Sequence, residues 1–298
     1  MTLTDLLDQC HVPYHLAGHR HVRQGWVGID CPQCGPRSGK FHLGINVDGL
    51  FAVCWKCGYL RLGDVLVEIT GNPLPEVLGW LNTLPRARPS SVAGPKARGR
   101  VKLPPGLGPL QRPHKRYLMG RKGLRPSDVE RLWGIQGIGS LGGRLSWRIW
   151  IPIHYCGELV SWTTRALVDS GVRYLTAGME QEKINHKQLL YGADYARNSV
   201  IVTEGPIDAW RIGPGAVATL GLGFTQEQAR QIGQFPLRVI CFDNERDAQR
   251  RAHRLAKALQ VMPGETVVIR IETGEDIADA DQEEVEQLRN EFLESVWS

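Results

Sequence analysis

Ser199-Val-Ile-Val-Thr-Glu-Gly-Pro-Ile-Asp208 is the stretch on which the architecture of this chain turns. A short β-branched run ends at Glu204, Gly205 turns the chain, and Asp208 falls four residues after Glu204, at the start of a helix. The same pattern continues downstream. Strand-like runs at Ala216–Leu220, Arg238–Phe242 and Thr266–Ile271 alternate with helical stretches at Ile207–Ile212, Thr225–Ile232 and Asp247–Leu259. Alternating strands and helices with short loops predict a parallel sheet covered by helices. Ligands of such sheets bind at the carboxyl ends of the strands. Three acidic clusters belong to that edge: Glu204 with Asp208, Asp243 with Glu245, and Asp276 with Asp279. Crowded carboxylates repel one another. Their usual counter-charge is a hard divalent cation such as Mg²⁺, in sites that handle phosphates.

A second signal lies near the start. Cys31-Pro-Gln-Cys34 and Cys54-Trp-Lys-Cys57 stand 19 residues apart. Two such knuckles complete a tetrahedral Cys₄ shell for one Zn²⁺, with no open position, so the expected role is structural. Of the seven cysteines, Cys10, Cys156 and Cys241 are left over and read as small apolar fillers. Aromatic and basic residues interleave around the knuckles, Trp55, Lys56 and Arg61 among them, which suits stacking on unpaired bases and contact with phosphates.

Between these signals the charge is lopsided. Arg86 to Arg116 holds nine Lys or Arg and no acid, whereas Glu272 to Glu294 holds ten acids and one base. A basic middle points to a polyanion partner such as nucleic acid. The reading is therefore a zinc-ribbon β domain over residues 1–85 and a flexible Pro/Gly-rich basic linker over 86–113. A compact domain over 114–298 follows, split into a mixed α+β part, 114–197, and the parallel α/β part, 198–298. Gly137-Ile-Gly139-Ser-Leu-Gly142 matches a dinucleotide fingerprint, but a helix precedes it and a strand follows, so it reads as a loop. No apolar run reaches the roughly 20 residues of a membrane span, and a cytoplasmic protein, of a bacterial or phage-infected cell, is expected.

Thr203-Glu-Gly-Pro-Ile-Asp208, Ala218-Thr-Leu-Gly221 and Cys241-Phe-Asp-Asn-Glu245 resemble the Toprim fold, a Rossmann-like parallel sheet shared by bacterial-type primases, topoisomerases and some nucleases. Upstream, Arg116-Tyr-Leu-Met-Gly-Arg-Lys-Gly-Leu124, Arg148-Ile-Trp-Ile-Pro-Ile153, Glu158-Leu-Val-Ser-Trp-Thr-Thr-Arg165 and Leu190-Tyr-Gly192 are similar to the subdomain before Toprim in DnaG-type and phage primases. The zinc ribbon resembles the template-binding domain of the same proteins. The resemblance implies synthesis of short RNA primers on single-stranded DNA from ribonucleoside triphosphates. It places Glu204, Asp243 and Glu245 on two or more Mg²⁺ or Mn²⁺ ions, adds Asp208, Asp276 and Asp279 as catalytic acids, and gives Arg148, Arg165, Lys183 and Lys187 to nucleotide and template. The spelling Asp243-Asn-Glu-Arg-Asp-Ala-Gln249 departs from the primase pattern towards a topoisomerase one. Alternatives are a non-catalytic recombination mediator that joins a Cys₄ finger to Toprim, or a Toprim nuclease or topoisomerase. No P-loop ATPase follows Toprim, so a replicative helicase is expected as a separate partner, and no membrane is.

Overall fold

Thr2 starts the first helix. Its hydroxyl accepts from the Asp5 amide, and the Asp5 carboxylate accepts from the Thr2 amide, a reciprocal cap that satisfies donors left over at a helix start. The computed structural model describes residues 2–17, 22, 24–47, 50–84, 95, 97–168, 171–221 and 223–293. They form two compact units, one reaching Leu84 and the other running from Pro95 to Leu293.

In the first unit α1 (Leu3–Gln9) buries Leu3, Leu6 and Leu7 along one stripe. β1 (Tyr14–His15), β2 (Trp26–Ile29), β3 (Leu43–Asn46), β4 (Phe51–Cys54) and β5 (Gly58–Leu60) make an antiparallel sheet in that order. α2 (Leu62–Thr70) and α3 (Leu74–Thr83) follow. Leu62, Val65, Leu66 and Val77 join the α1 leucines and Ile29, Leu43 and Ile45 in a single core. α2 ends at Gly71, whose φ of 73° is the left-handed conformation a helix C-cap favours.

The second unit opens inside the expected linker. Val101 and Leu107 pack against a core around Trp162, and the Trp162 indole donates to the Lys102 carbonyl at 2.9 Å. Leu110 is buried, and β6 (Leu107–Gly108) pairs with a later strand. Residues 97–113 are thus a packed strap and not a free linker. Val101, Leu107 and Leu110, diluted among Pro and Gly, pack against the unit, which average composition does not reveal. Residues 86–94 and 96 lie outside the described residues.

α4 (Arg112–Met119), α5 (Pro126–Trp133), β7 (Gln136–Ile138), β8 (Arg148–Tyr155), β9 (Glu158–Ala166) and β10 (Tyr174–Thr176) come next. The antiparallel sheet runs β10-β9-β8-β7-β6. Gly137 to Gly142, expected as loop, instead supplies β7 and a 3₁₀ turn at Ser140–Leu145, because Ile138 points into the core. Cys156 is no apolar filler. It is exposed at the tip of the β8–β9 hairpin, where Cys156 and Gly157 both have positive φ, 51° and 77°, as a tight two-residue turn requires. The Asp194 carboxylate accepts from both of their amides, at 3.2 and 2.9 Å, and holds the turn.

The parallel sheet matches the expected order of elements: β11 (Ser199–Thr203), α6 (Pro206–Ile212), β12 (Ala216–Ala218), α7 (Gln226–Ile232), β13 (Leu237–Ile240), α8 (Arg246–Leu259) and β14 (Glu265–Val268). All its pairings are parallel, in the order β12-β11-β13-β14. α9 (Gln282–Leu293) carries the acidic end as far as it is described. From β11 the chain first steps outward to β12 and then returns past β11 to β13. The strand order therefore reverses between β11 and β13, and the crevice beyond their carboxyl ends is the switch point where such sheets bind ligands. Among the described residues no helix is long and apolar enough to cross a membrane.

Candidate active site

Glu204 follows β11 and Asp243 follows β13, so the two acids flank the switch point. Glu204 is paired with Arg251 of α8, whose Nε and Nη2 donate to Oε1 at 3.2 and 2.8 Å, both side chains 13% exposed. Asp243 is pushed up to about 7, first by burial and then by the charges of Glu204, Asp276 and Glu245, with Arg251 opposing. Gln249 secures its backbone, donating to the carbonyls of Phe242 and Asp243 at 3.2 and 3.0 Å. Asn244, the spacer of the acidic pair, stitches this loop to the next. Its Nδ2 donates to Ile271 O and Gly274 O at 2.6 and 2.8 Å, and its amide donates to Glu275 O. Asp276 is thereby brought to the same edge. Burial lifts its carboxyl too, and its Oδ1 accepts from the Asp279 amide at 2.9 Å.

The remaining acids differ in role. Asp208 is buried and accepts from the Gly205 amide at 3.1 Å, at the start of its own helix. Burial and then the charges of Asp243 and Asp276 hold its carboxyl well above the usual range. It supports the edge from behind. Glu245 and Asp279 are exposed. Glu245, Arg251, Asn244 and Gln249 all lie in or just after the Asp243 loop, yet only the acids carried a signal in the sequence.

The basic residues separate. Arg165 is buried against Tyr117 and Tyr174, donating to Tyr117 Oη at 2.8 Å. The Tyr174 ring in turn feels the Asp208 charge, so Arg165 borders the acidic edge. Lys187 reaches the same edge, donating to Leu220 O at 2.8 Å beside Gly221. Arg148 does not serve as an open phosphate ligand. It is buried, and its Nε and Nη2 donate to Thr164 Oγ1 and to the carbonyls of Thr164, Val172 and Arg173. Lys183 is paired with Glu158, which begins β9, about 23 Å along the strand from Arg165. Neither partnership is legible in the sequence, because each forms only when segments distant in sequence fold together.

In the first unit Cys31, Cys34, Cys54 and Cys57 bring their Sγ atoms within 4.8 Å of one another, the one such convergence of potential ligands among the described residues. Cys31–Cys57 and Cys34–Cys54 are 3.9 and 3.5 Å apart, near the edge of about 3.8 Å for a tetrahedron of thiolates around zinc. The donor set fits that ion. With the thiols alone, a hydrogen bond from Cys54 pulls Cys31 down to about 5 while burial pushes Cys57 up to about 12. Four like charges so close need a dication. His42 Nε2 lies 3.4 Å from Cys34 Sγ and orients that ligand, a support not foreseen. Asp30 accepts from Ser38 Oγ and from the Gly39 and Phe41 amides, holding the loop between the knuckles. Trp55, expected to stack on bases, is 3% exposed and belongs to the ribbon's interior. Lys56 and Arg61 are exposed.

The Toprim-like family model matches residues 201–281. That stretch is a Toprim-like domain. The Toprim sheet thus holds Glu204, Asp243 and Asp276 at its carboxyl edge. A DNA primase of Halalkalibacterium halodurans is 35% identical over an alignment 115 residues long, which covers 35% of this chain and only 19% of that relative. The Aquifex aeolicus primase structure, of zinc-binding and RNA polymerase domains, is 15% identical and covers 98% of this chain and 83% of that chain at a TM-score of 0.51. The likeness is one of fold, and in this chain a unit with four clustered cysteines precedes the Toprim-like stretch. The primase fragment of the bacteriophage T7 primase-helicase protein is 16% identical, covering 91% of this chain and 98% of that chain at a TM-score of 0.40.

Proposed function

We propose that this protein is a DNA primase, making short RNA primers on single-stranded DNA from ribonucleoside triphosphates. The observation that carries the reading is the acidic edge itself. Glu204 and Asp243 flank the switch point and Asp276 is stitched beside them, in a chain that also has a Cys₄ ribbon. Glu204, Asp243 and Glu245 would hold Mg²⁺ or Mn²⁺, hard ions that suit carboxylate oxygens. Such ions, when bound, supply charge neutralisation at the phosphate and lower the pKa of a bound hydroxyl.

The protein's own groups have separate tasks. Arg251 orients Glu204 through its two hydrogen bonds to Oε1. Asp208 and Asn244 fix the two loops that present Asp243 and Asp276. Arg165, held against Tyr117 and Tyr174, and Lys187 would receive phosphate groups, Arg165 as a planar fork and Lys187 as a point charge. Arg148 acts as a positioning residue beneath Arg165. Lys56 and Arg61 on the ribbon would contact template phosphates, and a separate helicase would deliver the single strand.

Single-stranded DNA of varied sequence, labelled ribonucleotides and Mg²⁺ or Mn²⁺ provide the test. Wild type should release short RNA, and Glu204→Gln should reduce it by at least about 100-fold while melting at the wild-type temperature. No RNA from wild type, or equal yield from the variant, would overturn the proposal.

A further inference from the structure

α8 carries more positive charge than packing requires. Its inner face is Ala248, Ala252, Leu255 and Leu259, while Arg246, Arg250, His253, Arg254 and Lys257 are exposed. A solvated basic helix face would be unremarked, but here a second element converges on it. Asn244, Arg246, Gln249, Arg250 and His253, together with Arg270 from beyond β14, line a cleft of about 340 Å³. No acid lines it. Asp247 pairs with Arg250 at 3.1 Å, but both are mostly exposed, and so solvated a pair contributes little.

Gln249 forms the floor and is 4% exposed. Its Oε1 accepts from Arg270 Nε at 2.8 Å, while its Nε2 grips the carbonyls of Phe242 and Asp243. One buried amide therefore orients a guanidinium of the cleft and the backbone of a Toprim acid together. Among the described residues the terminal nitrogens of Arg270, and the side chains of Arg246 and His253, have no hydrogen-bond or ion-pair partner. From Arg246 to His253 the helix advances about 10 Å, too far for one phosphate group and suited to successive phosphates along a strand. The positive pole of α8 lies at the Arg246 end.

We infer that this cleft is a second phosphate-binding site, seating consecutive phosphates of one nucleic-acid strand as it passes the carboxylate edge. The inference rests on the proposed reading only in placing nucleic acid at that edge, and not in its polymerisation. Gln249 ties the strand to Asp243, so that the backbone is held at a fixed offset from the acid.

The test uses the zinc-loaded full chain and a fluorescein-labelled single-stranded oligothymidylate, with affinity followed by anisotropy from 25 to 300 mM salt, roughly the range over which phosphate contacts are resolved. Arg246→Gln/Arg270→Gln should bind about tenfold more weakly at low salt. It should also flatten the slope of log K against log salt by about 1.4, the value for two phosphate contacts on a single strand. Affinity for a labelled nucleoside triphosphate should not change. Arg254→Gln/Lys257→Gln, which removes two charges of the same helix outside the cleft, should alter the slope much less. Equal effects in the two double variants would reduce the site to diffuse charge and overturn it. So would a variant that loses the triphosphate and keeps the oligonucleotide slope. Failure of the primase reading shows separately, as Glu204→Gln retaining synthesis while the salt slopes differ as stated.

Discussion

Four thiols in the first unit lie within 4.8 Å of one another, whereas in the second unit the acids stand further apart and share their charge with a guanidinium and a proton. The cysteine cluster is closed: two knuckles, a hydrogen bond between His42 and Cys34 and the loop held by Asp30 surround a single point. The carboxylate edge is open. Glu204 leans on Arg251, and Asp243 retains its proton up to about 7. A closed soft-ligand site commits its ion to structure. An open hard-ligand site keeps room for an ion to exchange contacts with a phosphate.

The comparison is broken most directly at Cys54. Cys54→Ser should release the zinc and unfold the first unit, since a structural zinc contributes on the order of 10 kcal/mol. Metal content and tryptophan near-UV dichroism would report the loss, while the second unit melts as before. A variant that stays folded without metal would refute the structural role. Trp55→Ala probes the same unit through packing alone. Removal of a buried indole should cost about 3–5 kcal/mol in urea unfolding, far more than an exposed base-stacking residue would.

At the open site the sign is reversed. A carboxyl whose pKa is raised by folding binds its proton more tightly in the folded than in the unfolded chain. Its burden is absent below about pH 4, the unfolded value, and is complete above about 7. In chelator, Asp243→Asn should therefore exceed wild type in stability by about 2 kcal/mol at pH 8, the full shift being reduced for solvent contact, and match it at pH 4. A difference that does not vary with pH would show that Asp243 is not crowded.

Much of this was legible in the sequence, for identifiable reasons. The run ending at Glu204 reads as a strand because both faces of a central parallel strand are buried and demand β-branched residues. The knuckle spacing is legible because ligand geometry fixes it. What escaped depends on contacts distant in sequence. Arg251 lies 47 residues from Glu204, and Asn244 about 30 from the carbonyls it binds. Arg148 and Lys183 read as free cations in the sequence, and the fold pairs them with backbone carbonyls and with Glu158. Trp55 looked like a surface aromatic because a knuckle suggests exposure, yet in so small a unit an indole is worth more as core. The strap at 97–113 was hidden because three apolar side chains among Pro and Gly barely alter composition.

Asn244 has a consequence beyond placement. Because its amide and side chain both end on the 271–276 loop, neither loop can open alone. Local unfolding of the edge should be a single event, in which the acid after β13 and the acid after β14 are gained or lost together. The carboxylate edge is then a cooperative latch, and the residue between two acids is its pin.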